Sequence, residues 1–161
     1  MGHHRHHYRT IVHPGAAAVK GPLKTALVLG GGDGMAVREV LRHTSVEEVT
    51  LVELDPHMTR LFATQPLLTA LNGGALASPK LKIVNADAFA WLEQHDEVFD
   101  AIVVDFPDPT NYAVGKLYTN TFYRLLERHH RLRLAEQVAL QFVAAELDQQ
   151  VALGIGLDAL G

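Results

Sequence analysis

Residues 25–34 read TALVLGGGDG, a short apolar run that leads directly into the glycine loop Gly30-Gly31-Gly32-Asp33-Gly34. A continuous apolar run of this length predicts a strand buried on both faces of a sheet. Helix-forming residues 36–43 follow, so the segment predicts a strand, a tight turn and a helix. Glycine lets the backbone approach a ligand closely, and the next helix begins with unpaired N–H groups. Because a plain strand-to-helix turn also uses glycine, the loop alone is a weak functional signal.

The same alternation continues on the C-terminal side of the loop. Further strands are predicted at residues 48–54, 80–84 and 98–104, the last of which reads VFDAIVV. Helices are predicted from Pro56 to about Leu71, after Asp87 through Leu92, and from near Thr119. Strands that alternate with helices predict an α/β fold with a Rossmann-like parallel sheet and right-handed crossovers. Ligands of such sheets bind beyond the carboxyl ends of the strands.

Acidic residues stand at each of these predicted strand ends. Asp33, inside the loop, disfavours phosphate and suits a cationic ligand. Glu53 follows the loop by about twenty residues, the spacing at which an acidic residue binds the ribose hydroxyls of a nucleotide. Asp55, before Pro56, is also a good helix N-cap, and Asp87 has two interpretations, an N-cap or an acceptor for an adenine amino group.

The loop Asp105-Phe106-Pro107-Asp108-Pro109 follows the fourth strand and is the most specific of these motifs. Its two carboxylates lie three residues apart in a segment that proline keeps out of helix and strand. They could attract a diamine and accept a proton from an attacking amine. A turn with two solvated aspartates is the alternative.

Composition limits the remaining function classes. The 161-residue chain has a formal net charge of −4, which argues against a nucleic-acid surface, and no cysteine. No apolar run approaches the roughly 20 residues that span a bilayer, and no signal peptide is evident. We therefore expect a cytoplasmic protein without a membrane span or a metal site. Residues 1–7, MGHHRHH, resemble a tag and are left out of the fold prediction.

Three segments are predicted along the chain: an irregular, tag-like segment at 1–21, a nucleotide-binding core at 22–130 and an atypical helical segment at 131–161. Residues 138–143, VALQFV, could form a fifth strand. The apolar residues around them also keep helical spacing among good helix formers, so a helix is the preferred prediction.

Several segments together resemble the spermidine synthase family of polyamine aminopropyltransferases, over about residues 22–128. They are VLGGGDG with VREVLRH, VTLVELD, NGGALASPKLKIVNADAFAWL, and FDAIVVDFPDP with KLYTNTFYRLL, in the order and spacing of that family. The form DFPDP, with Met35 where soluble members usually have glycine, looks closer to a bacterial subgroup whose members often carry membrane segments. The resemblance implies an aminopropyltransferase core at 22–130, with a sheet of the S-adenosylmethionine-dependent methyltransferase type that is incomplete on its C-terminal side.

The resemblance also implies a role for each motif residue. The reaction would transfer the aminopropyl group of decarboxylated S-adenosylmethionine, a co-substrate, to putrescine, giving spermidine and methylthioadenosine. No permanently bound cofactor is implied. Asp105 would activate the amine, while Asp108, Asp33 and Tyr8 would contact the substrates. The nucleoside would be bound by Gly30, Gly31, Gly32, Gly34, Glu53, Asp87 and Ala88.

The resemblance is weaker on both sides of this core. A Tyr-(Gln/His)-Glu segment of the family falls near Tyr8-Arg9-Thr10, where only the tyrosine matches, and HHRLRLAEQVALQFV at 129–143 replaces an expected Pro-Gly-Gly turn and strand. We therefore expect an altered or truncated product with impaired activity. An open sheet edge would favour a homo-oligomer. The alternatives are an S-adenosylmethionine-dependent methyltransferase and a non-catalytic nucleoside-binding remnant.

Overall fold

A computed structural model of the chain describes residues 21–106, 115, 117, 119–131 and 141–142. Strands and helices alternate through these residues, as the sequence predicts. The strands are β1 (Thr25–Gly30), β2 (Glu48–Glu53), β3 (Leu81–Asn85), β4 (Ala101–Asp105) and β5 (Gln141–Phe142). The helices are α1 (Met35–Leu41), α2 (Pro56–Thr64), α3 (Pro66–Asn72), α4 (Ala88–Gln94) and α5 (Asn120–His129), and a 3₁₀ turn spans Ala75–Ala77.

The strands form one parallel sheet in the order β3-β2-β1-β4-β5. The predicted parallel α/β sheet is therefore confirmed. The chain moves outward from β1 to β3, then returns to the other side of β1 to form β4. The strand order thus reverses between β1 and β4, where Gly30 is in register with Asp105.

Each face of the sheet is covered by a separate apolar cluster. Alternate residues of β1 enter opposite clusters because side chains of a strand alternate between its faces. Ala26 and Val28 join the cluster beneath α1, whereas Leu27 and Leu29 join the one beneath α4 and α5. The predicted apolar face of α5 is confirmed, since Phe122, Leu125 and Leu126 are all buried. These layers hold the strand ends in a fixed arrangement.

The boundaries of one helix and one strand differ from the sequence prediction. The helix expected from Pro56 to Leu71 is two helices, because Gln65 precedes Pro66 and is extended (φ −80°, ψ 120°). The fourth strand begins at Ala101 rather than at residue 98.

The preferred helix at 138–143 is wrong for Gln141 and Phe142, which pair in parallel with Val103 and Val104. The backbone N–H and C=O groups at the edge of β4 need hydrogen-bond partners, and those of Gln141 and Phe142 provide them. The spacing of apolar residues in the sequence does not show which strand edge will be available. The rest of that segment lies outside the described residues.

Asp100 joins the amino-terminal edge of the sheet to the end of α5. Its Oδ2 accepts hydrogen bonds from the backbone N–H groups of Lys24 and Thr25, both at 2.9 Å, and Arg131 Nε lies 2.6 Å from its Oδ1. Burial raises the pKa of Asp100, but the hydrogen bonds from Thr25 and Lys24 and the charge of Arg131 together bring it below its ordinary value. The ionised carboxylate therefore stabilises the fold from the edge opposite the strand ends that carry the acidic motifs.

Asp100→Asn is expected to lower the free energy of unfolding at neutral pH by about 1–3 kcal/mol, because it removes charge-assisted hydrogen bonds. Since the folded-state pKa lies below the unfolded value, this stabilisation is present above the unfolded pKa and is lost as pH falls through the folded one. Urea unfolding at several pH values measures the difference. Asp96→Asn is the control, because the Asp96 side chain is fully exposed and its Oδ1 makes only a long ion pair, 3.8 Å, with Arg128 Nη2. An equal loss in both variants would contradict the prediction.

Candidate functional site

Those predicted site residues that the structure describes lie at the carboxyl edge of the sheet, around the reversal between β1 and β4. The glycine loop follows β1, Glu53 ends β2 and Asp105 ends β4. Because β2 and β4 are the two neighbours of β1, their terminal carboxylates border the loop from opposite sides. Such a reversal leaves a crevice beyond the strand ends, where ligands of open α/β sheets bind.

The Asp105 side chain lies directly against the glycine loop. Gly31 has a left-handed backbone (φ 67°), and a Cβ added there would lie 2.6 Å from Asp105 Oδ2. A Cβ on Gly30, also left-handed (φ 79°), would overlap the Asp105 backbone carbonyl oxygen. Asp105 itself is only 8% exposed. The glycines are therefore required both for the turn and for the approach of the Asp105 carboxylate.

Glu53 binds the loop from the other side. Its Oε2 accepts a hydrogen bond from the Gly32 N–H and its Oε1 accepts one from the Asp55 N–H, both at 2.9 Å. The side chain is half-buried. A carboxylate oxygen has two lone pairs, so these bonds leave acceptor capacity on each oxygen for two adjacent hydroxyl donors. Glu53 therefore lies beside the glycine loop, and its contact with a ribose stays a prediction.

Asp33 lies at the start of α1. Its Oδ1 accepts a hydrogen bond from the Met35 N–H at 2.9 Å, and the side chain is half-buried. Gly34 follows with φ 78°, and its N–H donates to the Gly31 carbonyl at 2.9 Å. The loop thus closes as a tight turn with the Asp33 carboxylate at its edge.

Asp55 and Asp87 are both helix N-caps. Asp55 accepts from the His57 N–H at 2.8 Å, and Asp87 accepts from the Phe89 and Ala90 N–H groups at 2.9 and 3.1 Å. The capping interpretation is therefore confirmed for each. The adenine contact of Asp87 and the neighbouring Ala88, which is buried, stays a prediction. Asp108 and Tyr8 lie outside the described residues.

Two asparagines to which the sequence assigns no role support this edge. Asn85 Nδ2 donates to the Glu53 backbone carbonyl at 3.1 Å, and Asn72 Nδ2 donates to the Asp33 carbonyl at 3.0 Å. In the sequence, Asn72 before two glycines indicates only the end of a helix. The Asn72 side chain is completely buried, which indicates a further role for this polar residue. The sequence Asn72-Gly73-Gly74 does not show that the side chain will be buried.

The electrostatic character of the site follows from this arrangement. Asp33, Glu53 and Asp105 place three carboxylates around a loop of five residues. Negative charge concentrated at a crevice attracts cations and disfavours anionic groups. Backbone N–H groups and the hydrogen-bond acceptors of the Glu53 carboxylate are present at the same edge. The arrangement therefore suits a nucleoside with a cationic substituent.

Comparisons with known proteins agree with this geometry. The Spermine/spermidine synthase domain model matches residues 5–131. The chain is 50% identical over 122 residues to a polyamine aminopropyltransferase of Leptospira interrogans, covering 76% of this chain and 24% of that protein. It is 52% identical over 122 residues to polyamine aminopropyltransferase 1 of Streptomyces coelicolor, covering 76% of this chain and 22% of that protein.

Solved structures give the same result. A spermidine synthase in complex with the transition-state analogue AdoDATO is similar with a TM-score of 0.69 and 29% identity, over 78% of this chain and 42% of that one. The spermidine synthase from Thermotoga maritima is similar with a TM-score of 0.63 and 25% identity, over 78% and 39%. The chain spans about a quarter of the length of the curated relatives it matches.

Gly31→Ala is expected to destabilise the fold more than Gly74→Ala. Both glycines are left-handed, which costs an L-residue about 1–2 kcal/mol, but a Cβ on Gly74 meets nothing within 4 Å. At Gly31 the methyl group must also displace the Asp105 carboxylate, for which overpacking adds about 1–3 kcal/mol. Denaturant unfolding of the two variants measures the difference. Equal losses would show that Asp105 can move away at no cost.

Proposed function

The chain belongs to the spermine/spermidine synthase family, and on that premise we propose that it is the donor-binding core of a polyamine aminopropyltransferase. The donor is decarboxylated S-adenosylmethionine and the acceptor is putrescine. The products are spermidine and methylthioadenosine. The observation that carries the proposal is the contact between the Asp105 carboxylate and Gly31, with Glu53 bound to Gly32 on the other side of the same loop.

The nucleoside half of the donor fits the β2 side of the crevice. Glu53 is the acceptor for the ribose hydroxyls, since both its oxygens face the loop edge through their bonds to Gly32 and Asp55. Asp87 and Ala88, at the end of β3, are the residues for adenine. Asp33 is the partner of the donor's ammonium group, because its carboxylate lies at the edge of the loop next to the start of α1.

The chemistry is a nucleophilic displacement. The neutral amine nitrogen of the acceptor attacks the carbon next to the sulfonium, a new C–N bond forms, and the C–S bond breaks. Its electron pair goes to sulfur, giving the neutral thioether methylthioadenosine. The nitrogen loses one proton, for which the Asp105 carboxylate is the acceptor. Alignment of the two reactants can supply about 7–11 kcal/mol of the barrier reduction.

The acceptor side rests on the resemblance alone. Asp108 and Tyr8 are proposed to hold the diamine. The low activity expected from the replaced segment at 129–143 also stays a prediction, as do the homo-oligomer and the cytoplasmic location. Within the part of the chain that the structure describes, no helix is both long and apolar enough to cross a bilayer.

Isothermal titration calorimetry with matched nucleosides tests the proposed donor. Decarboxylated S-adenosylmethionine is expected to bind more tightly than S-adenosylmethionine, because Asp33 attracts an ammonium and repels the extra carboxylate of the methyl donor. One such repulsion of about 1.4 kcal/mol corresponds to a tenfold difference in the dissociation constant. Tighter binding of S-adenosylmethionine would favour a methyltransferase, and binding of neither nucleoside would contradict the site.

Glu53→Gln is expected to weaken methylthioadenosine binding by about 10- to 100-fold. The new NH₂ group must face either the Gly32 or the Asp55 N–H, so one donor–donor contact replaces a hydrogen bond. The ribose loses a charged acceptor, worth about 1.5–3 kcal/mol. Glu48→Gln, at the exposed opposite end of the same strand, is the control. An unchanged dissociation constant would remove Glu53 from the site.

A further inference from the structure

Asn72 is a buried polar residue that connects three separate segments. It is the last residue of α3 and has no exposed surface. Its Nδ2 donates to the Asp33 backbone carbonyl at 3.0 Å and to the Phe62 carbonyl at 3.2 Å. Its Oδ1 accepts from the Gly74 N–H at 3.0 Å. Both amide hydrogens and the carbonyl oxygen are therefore used, and one of these bonds reaches the glycine loop.

The bond to Asp33 fixes a part of the loop that glycine would otherwise leave free. Asp33 stands between Gly32 and Gly34, and neither neighbour has a side chain that limits backbone rotation. Asn72 holds the carbonyl side of Asp33, while the Met35 N–H holds its carboxylate. A Cβ on Gly34 would lie 3.0 Å from Asn72 Nδ2, so the amide packs directly beneath the 33–34 peptide.

We propose that Asn72 is a positioning residue that sets where the Asp33 carboxylate meets the cationic end of the nucleoside. The inference rests on the proposed function, in which Asp33 binds the ammonium of the aminopropyl group. Asn72 acts through Asp33 and not by touching the reacting atoms. Its contribution therefore concerns the choice between a nucleoside that carries an ammonium and one that does not.

A purely structural role for Asn72 makes a different prediction, and Thr69 separates the two. Thr69 Oγ1 donates to the same Phe62 carbonyl at 3.1 Å, and within the described part of the chain the Thr69 side chain makes no hydrogen bond to the loop. Thr69→Val thus weakens the link between α2 and α3 that Asn72 also makes. It leaves the Asn72 bond to Asp33 in place, which makes it the matched control.

The test compares the dissociation constants of decarboxylated S-adenosylmethionine and methylthioadenosine, which lacks the aminopropyl group. The ratio of the first constant to the second is unaffected by changes that weaken binding of the shared nucleoside part equally. Asn72→Ser is expected to raise this ratio by about tenfold, the size expected when a contact to a charged group is lost. Thr69→Val is expected to leave it within about twofold. Calorimetry on the purified full chain gives both constants.

The outcomes separate this inference from the proposed function. If the wild-type chain binds neither nucleoside, the proposed function fails and the Asn72 inference with it. If it binds both equally, the proposed contact of Asp33 with the ammonium is absent, which overturns the Asn72 inference and leaves nucleoside binding in place. If the wild type prefers the cationic nucleoside and Asn72→Ser keeps that preference, only the Asn72 inference is overturned. An equal rise of the ratio in Thr69→Val would also overturn it, since the effect would then come from the α2–α3 link.

Asn72→Asp provides a second variant in case Asn72→Ser does not fold. It keeps an acceptor for the Gly74 N–H and nearly the same volume, but places a carboxylate oxygen opposite the Asp33 carbonyl. Its added negative charge would by itself favour the cationic nucleoside. A rise of the ratio in spite of that charge supports the inference, and an unchanged or lower ratio overturns it.

Discussion

The approach of the Asp105 carboxylate to a backbone without side chains is the constraint on which the site depends. Gly30 and Asp105 are register partners at the ends of adjacent parallel strands, and any side chain at Gly30 or Gly31 would occupy the space of Asp105. The strand order reverses at this pair, so the crevice opens where the carboxylate lies. One contact therefore places the acid, shapes the loop and leaves room for a ligand.

Each hydrogen bond that orders the loop involves a residue proposed to bind the nucleoside. Glu53 accepts from Gly32, Asp33 accepts from Met35, and Asn72 donates to Asp33. Such a loop is organised before a ligand arrives, which reduces the ordering cost of binding. It also means that substitutions in the site will change both the stability of the loop and its affinity. Experiments must then compare ligands within one variant, because a single affinity cannot separate the two effects.

Much of the fold could be predicted because local signals agreed with the tertiary structure. The continuous apolar run of β1 predicts a strand buried on both faces, and the apolar face of α5 predicts a helix packed against the sheet. The structure confirms both predictions. Two predictions failed for different reasons. The helix break before Pro66 is a local signal, since the residue before a proline disfavours the helical conformation, and the prediction of one continuous helix overlooked it. Gln141 and Phe142 pair with β4 although the spacing of their segment suits a helix, and only the tertiary structure decides this. Asn72 could not be recognised, since its role depends on which carbonyls the fold brings to its amide.

A crystal structure of the chain with methylthioadenosine would show whether the nucleoside lies at the β1–β4 edge. Both ribose hydroxyls are expected within hydrogen-bonding distance of the Glu53 carboxylate, with the thioether sulfur over the glycine loop on the side of Asp105. The bonds from Gly32 and Asp55 to Glu53 should remain. A nucleoside bound away from the β1–β4 edge, or a ribose that makes no contact with Glu53, would contradict this expectation.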